Sequence, residues 1–323
     1  MKLLQLYGKW HDDLQFIERK LAESVRTDHK ELNAASLHLL QAGGKRLRPI
    51  FVLLSGRFGT FELEHLAHVA VSLELIHMAT LVHDDVIDDA LTRRGELTVK
   101  AKWDERTAMY TGDFIFGKAL TIVTKLEQPQ IHRILSRAVV KMVIGEMEQL
   151  RYFNNLEQKT RDYLLRIRRK TAILIAISCK LGALAAGASQ QAANQLYSYG
   201  YNAGMAFQIR DDILDINGTQ KQLGKPPGSD LRQGNITLPI LFAIRDEQVR
   251  IAVSSVIENQ PNVDEKALQQ VLALVRKSGG IEEANKLSLR YIDKAIQSLE
   301  PLPDIPAKQD LTQIASFIAD RSY

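Results

Sequence analysis

The stretch EHLAHVAVSLELIHMATLVHDDVID, Glu64 to Asp88, decides the fold. From Glu64 to Val82 it is almost entirely apolar on one side, the pattern of a long core helix. It runs into three carboxylates, Asp84, Asp85 and Asp88. On a helix, positions i and i+4 point the same way and i+1 lies at the edge of that face, so one turn presents all three. The same spacing recurs at Asp211, Asp212 and Asp215, after the apolar segment Ala203 to Ile209. Like charges this close repel, and the arrangement costs stability unless a cation neutralises it. Hard divalent ions such as Mg2+ take oxygen ligands and bridge carboxylates to substrate phosphates. Two solvated acidic helix ends are the plain alternative, and the repeated spacing argues against it. Two such clusters on two helices suggest facing walls of one cavity in a bundle interior.

Working outward, helical periodicity continues through Asp12 to Arg26, Gln130 to Tyr152, Asp162 to Ala186 and Gln190 to Asn217. It resumes from Leu238, with periodic segments at Glu265 to Lys277 and Ile281 to Leu299. Gly218 to Gly234, rich in Gly, Pro, Ser and Asp, reads as a long loop of the kind that serves function. Alternating strand patterns are few, and no linker or low-complexity tract divides the chain. The fold class is all-α, a single-domain helical bundle over residues 1–323 around a central cavity.

The 323 residues are 45% hydrophobic and 25% charged, an ordinary globular composition. The single Cys179 excludes a disulfide framework, and its apolar setting predicts a buried, inert thiol. The N-terminus lacks a signal-peptide core. The most membrane-like stretch, Thr171 to Ala188, is interrupted by Lys180 and too weak to span a bilayer. These features predict a cytoplasmic protein with at most transient membrane contact. The net charge is only +4, yet basic residues cluster at Lys45 to Arg48, Arg93-Arg94 and Arg166 to Lys170. No aromatic residues interleave them for base stacking, so the clusters point to a polyphosphate substrate rather than nucleic acid.

Gly43-Gly44-Lys45-Arg46-Leu47-Arg48-Pro49 places cations after a glycine pair that lets backbone approach a ligand. Arg supplies a planar fork for phosphate oxygens and Lys a point charge. The spacing is not that of a Walker loop. A basic helix cap is the plain alternative. Arg93-Arg94-Gly95 follows Asp88 within reach of the same site. His77 lies two helical turns before Asp84 on the same face and reads as a hydrogen-bond donor to phosphate. A structural histidine is the alternative, and zinc is excluded by ligand spacing. Lys170, Thr171 and Gln208 are weak signals taken singly.

Together these motifs resemble the trans-isoprenyl (polyprenyl) diphosphate synthases. The matches are GGKRLRP from Gly43, ELIHMATLVHDDVIDDALTRRG from Glu74, RKTAILI from Arg169, FQIRDDILD from Phe207 and LGKPPGSDLRQGNITLP from Leu223. They fall in the family's order between about residues 40 and 240. The chain is most similar to members that form the catalytic half of two-component synthases with hexaprenyl or heptaprenyl products. The resemblance implies an isoprenoid-synthase-type bundle that condenses isopentenyl diphosphate onto an allylic diphosphate, farnesyl diphosphate being the expected primer. It implies about three Mg2+ per active site, bridged to diphosphate oxygens. Asp84, Asp85 and Asp88 would hold Mg2+ on the allylic diphosphate, and Asp211, with Asp212 and Asp215, a further ion. Arg93 would contact the allylic diphosphate, and Lys45, Arg48, His77 and Arg94 that of isopentenyl diphosphate. Lys170, Thr171 and Gln208 would flank the reacting carbons, and Lys225 would close over the allylic diphosphate. Cations placed where charge develops on the leaving diphosphate suit this chemistry. A dry cavity would protect the carbocation.

Ala79 and Thr80 lie about one turn before Asp84, and helical side chains lean toward the N-terminus, so they line the space beneath the carboxylates. Short-chain members of the family carry a bulky aromatic near here. Small residues let a growing chain pass toward Ile76 and Leu73. That predicts a long product, and the resemblance puts it at about six or seven isoprene units, for a quinone side chain such as that of menaquinone. Asn235 replaces a lysine usual in the family, and Glu146 and Gln149 stand where many members carry Gln and Asp. These departures fit a heterodimer with a smaller partner subunit, a homodimer being the alternative. A terpene cyclase would not need Lys45, Arg48 and Arg94. A non-catalytic scaffold subunit of the same fold could lose carboxylates that are all present here.

Overall fold

A computed structural model describes residues 8–219, 226–260 and 262–320. Its contacts group the residues into two compact units, each taken by itself below. Unit 1 comprises Met1–Ser136, Ile177–Tyr197 and Pro301–Gln313, and unit 2 comprises Arg137–Ala176, Ser198–Glu300 and Ile314–Tyr323.

Unit 1 holds helices α1 (His11–Ser24), α2 (Lys30–Gln41), α3 (Leu47–Gly56), α4 (Leu63–Ile87), the short α5 (Val99–Lys102) and α6 (Glu105–Val123). Helix α4 is the central element and packs most extensively on α6 and α3. Leu66, Leu73, Leu75 and Ile76 are almost wholly buried, each contributing about 1.5–3 kcal/mol by removal from water. Helix α4 is long and apolar enough to cross a bilayer, but most of that apolar window is buried within the protein. The helix does not stop at Val82. It carries Asp84 and Asp85 in its last turn and ends with Asp88 as C-cap, whose N–H donates to the Asp84 carbonyl at 2.8 Å. Asp89 follows with φ of 51°, the left-handed residue that commonly closes a helix.

A two-stranded hairpin follows, β1 (Thr92–Arg93) and β2 (Glu96–Leu97), with Arg93 opposite Glu96. Arg94 and Gly95 form the two-residue turn, both with positive φ (56° and 86°), as a type I′ turn requires. The strands are too short for alternation to show in the sequence. Cys179 is fully buried, and burial pushes its thiol up to about 12, so the thiol is inert as expected.

Unit 2 is built from the C-terminal part of α7 (Pro129–Arg151), α8 (Thr160–Ile167) and most of α10 (Gln190–Asn217). It also contains α11 (Ser229–Arg232), α12 (Leu238–Ala243), α13 (Glu247–Glu258), α14 (Glu265–Lys277) and α15 (Gly280–Leu299). Helix α9 (Ile173–Ala185), mostly in unit 1, begins here, and α16 (Pro306–Ala319) ends here. Its core gathers Tyr163, Ile167, Met205, Ile209, Leu238 and Leu272. The helix expected from Asp162 to Ala186 is interrupted by a π-helical turn over Arg168–Ala172. Residues Ala172 to Cys179 after it are all buried, so no one-sided apolar stripe is there to show the shift in register. The expected loop Gly218 to Gly234 contains helix α11 in its second half. Lys225 lies outside the described residues.

Candidate active site

In unit 1, the end of α4, the start of α3 and the hairpin bring together a cationic pocket lined in part by Arg46, Glu74, His77, Asp85, Arg93 and Arg94. Gly43, with φ of 74°, turns the chain into it. A Cβ on Gly44 would lie 2.6 Å from Arg94 Nη1 and 3.1 Å from Arg46 Nη1, so only glycine allows both guanidiniums so close to the backbone. Arg46 adopts φ of 43° and turns inward. Its Nε donates to Glu18 Oε1 at 2.5 Å, its Nη1 to Glu74 Oε1 at 3.2 Å and its Nη2 to the Leu40 carbonyl at 3.3 Å. Burial opposes the Arg46 charge, but Glu18 and Glu74 outweigh it and hold the guanidinium above its usual range.

The other pocket cations are less compensated. Burial lowers Arg48 to about 10, with Glu74 opposing the fall and Arg94 adding to it. Burial also lowers Arg94, and Arg46 pushes the same way. His77 is held well below its usual range by burial and then by Arg48 and Arg94. The imidazole is therefore neutral at physiological pH and keeps one N–H to donate. A pocket that depresses its own cations is short of negative charge, the condition a diphosphate relieves. Lys45, expected with this group, sits on the exposed side of the same turn.

Asp85 is buried, and its Oδ1 accepts from both Nε and Nη2 of Arg93 at 2.6 Å. Burial nevertheless raises the Asp85 carboxyl, with Asp84 and Asp88 adding to the rise. All three acids sit at the C-terminal end of α4, where the helix dipole also disfavours anions. The same holds for Asp211, Asp212 and Asp215 at the end of α10 in unit 2. Among the described residues, no three His, Cys, Asp or Glu side chains converge to hold a metal on their own. The oxygen donors of Asp84, Asp85 and Asp88 within one turn of α4 are of the type Mg2+ takes, one or two carboxylates with water and substrate phosphate completing its shell. Ala79, Ile76 and Leu73 are buried along α4. Thr80 Oγ1 donates to the His77 carbonyl at 2.8 Å.

In unit 2 the π-turn carries Lys170 and Thr171. A Cβ on Gly145 would lie 2.7 Å from Arg169 Cβ, so this glycine lets α7 approach the turn closely. Lys170 Nζ donates to Glu146 Oε2 at 2.8 Å, and Arg169 pairs with Glu148. Thr171 Oγ1 donates to Gln208 Oε1 at 2.7 Å, and Gln208 Nε2 donates to Asp212 Oδ1 at 2.8 Å. Asp212, expected with the metal ligands, is buried and also accepts the Tyr163 hydroxyl on Oδ2 at 2.6 Å. Burial and then Asp230 raise the Asp212 carboxyl, against these hydrogen bonds. Asp215 accepts the Asp230 backbone N–H at 3.2 Å. The sequence reading missed Arg46, Glu18, Glu74 and Tyr163 as parts of these arrangements. Arg46 was visible within the Lys45 to Arg48 cluster, and Glu74 as a carboxylate inside an otherwise apolar run; Glu18 and Tyr163 carried no signal.

The fold and these two groups define a class of helical protein with arginine-rich segments beside Asp-rich helix ends. The chain belongs to the polyprenyl synthetase family, whose sequence model matches residues 29–275. It is 50% identical to the heptaprenyl diphosphate synthase component 2 of Geobacillus stearothermophilus over the full length of both chains. The crystal structure of the heptaprenyl diphosphate synthase of Staphylococcus aureus is similar, with a TM-score of 0.91 and 39% identity over 96% of this chain and 98% of that one. The polyprenyl synthase of Caulobacter crescentus CB15, complexed with calcium and isoprenyl diphosphate, gives a TM-score of 0.94 at 32% identity, covering 99% and 98% of the two chains.

Proposed function

We propose that this chain is the catalytic subunit of a long-chain (E)-prenyl diphosphate synthase. It condenses isopentenyl diphosphate repeatedly onto an allylic diphosphate, farnesyl diphosphate being the expected primer, to a hexaprenyl or heptaprenyl product. The observation that carries this reading is the under-compensated group of Arg48, His77 and Arg94, beside the Asp85–Arg93 pair. A terpene cyclase has no isopentenyl diphosphate to place there.

Asp84, Asp85 and Asp88 in unit 1, and Asp211 with Asp215 in unit 2, supply the carboxylates that would hold Mg2+. Bound Mg2+ supplies neutralisation of the charge that grows on the leaving diphosphate. Arg93 binds the allylic diphosphate, while Lys45, Arg48, Arg94 and the neutral His77 bind that of isopentenyl diphosphate. The allylic C–O bond breaks, its electron pair leaving with the diphosphate. The resulting carbocation takes the double-bond electrons of isopentenyl diphosphate, and the new cation loses a proton to the released diphosphate. Lys170, Thr171 and Gln208 flank the reacting carbons. Small Ala79 and Thr80 leave room for a growing chain, with Ile76 and Leu73 deeper on the same helix.

A smaller partner subunit completes the enzyme. Supporting this, α7 exposes Val140, Val143, Ile144, Met147 and Leu150 at three- or four-residue spacing, a stripe that covers well only against another protein. The protein is cytoplasmic, and its product serves a quinone side chain such as that of menaquinone. The test is product analysis with Mg2+, farnesyl diphosphate and labelled isopentenyl diphosphate, with this chain alone and with a candidate small subunit. A single long product only with the partner supports the reading. The same product from the chain alone overturns the partner, and no condensation in either case overturns the function.

A further inference from the structure

We infer that Tyr163 is a positioning residue for the Gln208–Thr171 pair, acting through Asp212. The inference rests on the proposed function only in placing Thr171 and Gln208 beside the reacting carbons. Four side chains from α8, the π-turn and α10 form one chain of hydrogen bonds: Tyr163 to Asp212, Gln208 to Asp212, and Thr171 to Gln208. Gln208 Nε2 lies 2.8 Å from Asp212 Oδ1, so the NH2 side of the Gln208 amide faces Asp212. That fixes the Gln208 carbonyl toward Thr171, and the threonine hydroxyl must then spend its single proton on it. The directions of the Gln208 and Thr171 dipoles are therefore set by which oxygens of Asp212 are occupied.

Tyr163 occupies the other oxygen. It is wholly buried, in the core of unit 2. Its phenol is held well above its usual range by burial and then by Asp212, so it stays a donor. Without that donor the buried carboxylate has one oxygen unpaired and is free to rotate toward other partners. Gln208 would rotate with it. Both oxygens of Asp212 are thus engaged by donors from neighbouring elements of unit 2.

The test uses the full chain, with its partner subunit if activity requires one. Tyr163→Phe is expected to lower kcat about tenfold while KM for both diphosphates stays within about twofold. In a Gln208→Leu background the same substitution is expected to have no further effect, because Tyr163 acts through the group already removed. Asp212→Asn is expected to match the kcat loss of Tyr163→Phe without moving the Mg2+ concentration at half-activation. Additive losses in the double variant, an unchanged kcat, or a shifted Mg2+ midpoint for Asp212→Asn overturns the inference. If Tyr163→Phe fails to fold, the Asp212→Asn arm decides. If the wild-type protein condenses nothing, the proposed function fails instead. The side-chain 15N amide signal of Gln208 then still reads the inference: it broadens or shifts in Tyr163→Phe if the hydroxyl positions the amide, and is unmoved if it does not.

Discussion

Glu74→Gln removes the buried negative charge around which the unit 1 pocket is organised. Glu74 is 2% exposed, binds Arg46 at 3.2 Å and is the anion that supports the charges of Arg48 and Arg94. Breaking a buried ion pair from one side costs about 3–5 kcal/mol, and the amide still accepts one hydrogen bond, so the lower end applies, about 3 kcal/mol. That is about a 160-fold fall in the folding equilibrium constant. A diphosphate in the pocket supplies the missing anion, so the cost with ligand bound should fall by about half. Linkage then requires the variant to bind inorganic diphosphate about tenfold more tightly than the wild type, because the same difference of about 1.5 kcal/mol closes the thermodynamic cycle. Urea unfolding followed by circular dichroism, with and without inorganic diphosphate, measures one side of the cycle. Isothermal titration calorimetry measures the other. Equal or weaker diphosphate binding by the variant, with the same destabilisation in both conditions, would refute the view that Glu74 stands in for substrate charge.

Three further outcomes are expected. Asp84→Asn or Asp211→Asn should lower product formation at least about 10²-fold, read by product analysis with Mg2+ and both diphosphates; activity within about twofold of the wild type would contradict this. His77 is neutral in the folded state and takes a proton near pH 6.5 when unfolded, so the unfolded state binds more protons below that pH. Stability should fall as pH drops from about 6.5, by at most about 1.4 kcal/mol per pH unit, and His77→Gln should flatten that slope in urea titrations between pH 6.5 and 5. Ala79→Phe should shorten the product, read by chromatography of the released alcohols, at a packing cost of about 1–3 kcal/mol; an unchanged product would show that the chain does not pass this position.

The long helices and their acidic ends were legible because each depends on residues close together in sequence. Apolar residues three and four apart bury one face of α4 wherever the helix lies, and carboxylates at i, i+1 and i+4 crowd within one turn of any helix. The glycine pair before Arg46 announced a turn for the same local reason. The hairpin was not legible: two-residue strands offer no alternation, and only the positive φ of Arg94 and Gly95 reveals the turn. The π-turn under Lys170 and Thr171 was hidden because the helix that follows is buried on every side and shows no stripe whose shift would mark it.

Local patterns along the chain were enough for its long helices, its two acidic helix ends and the basic segments that suit a diphosphate. Tertiary structure alone decided the charge state and direction of those groups. Glu74 meets Arg46 across 28 residues and Tyr163 meets Asp212 across 49. Burial makes each of those contacts matter, because a charge or hydroxyl removed from water must find its partner in the fold, and no local pattern states which partner that is.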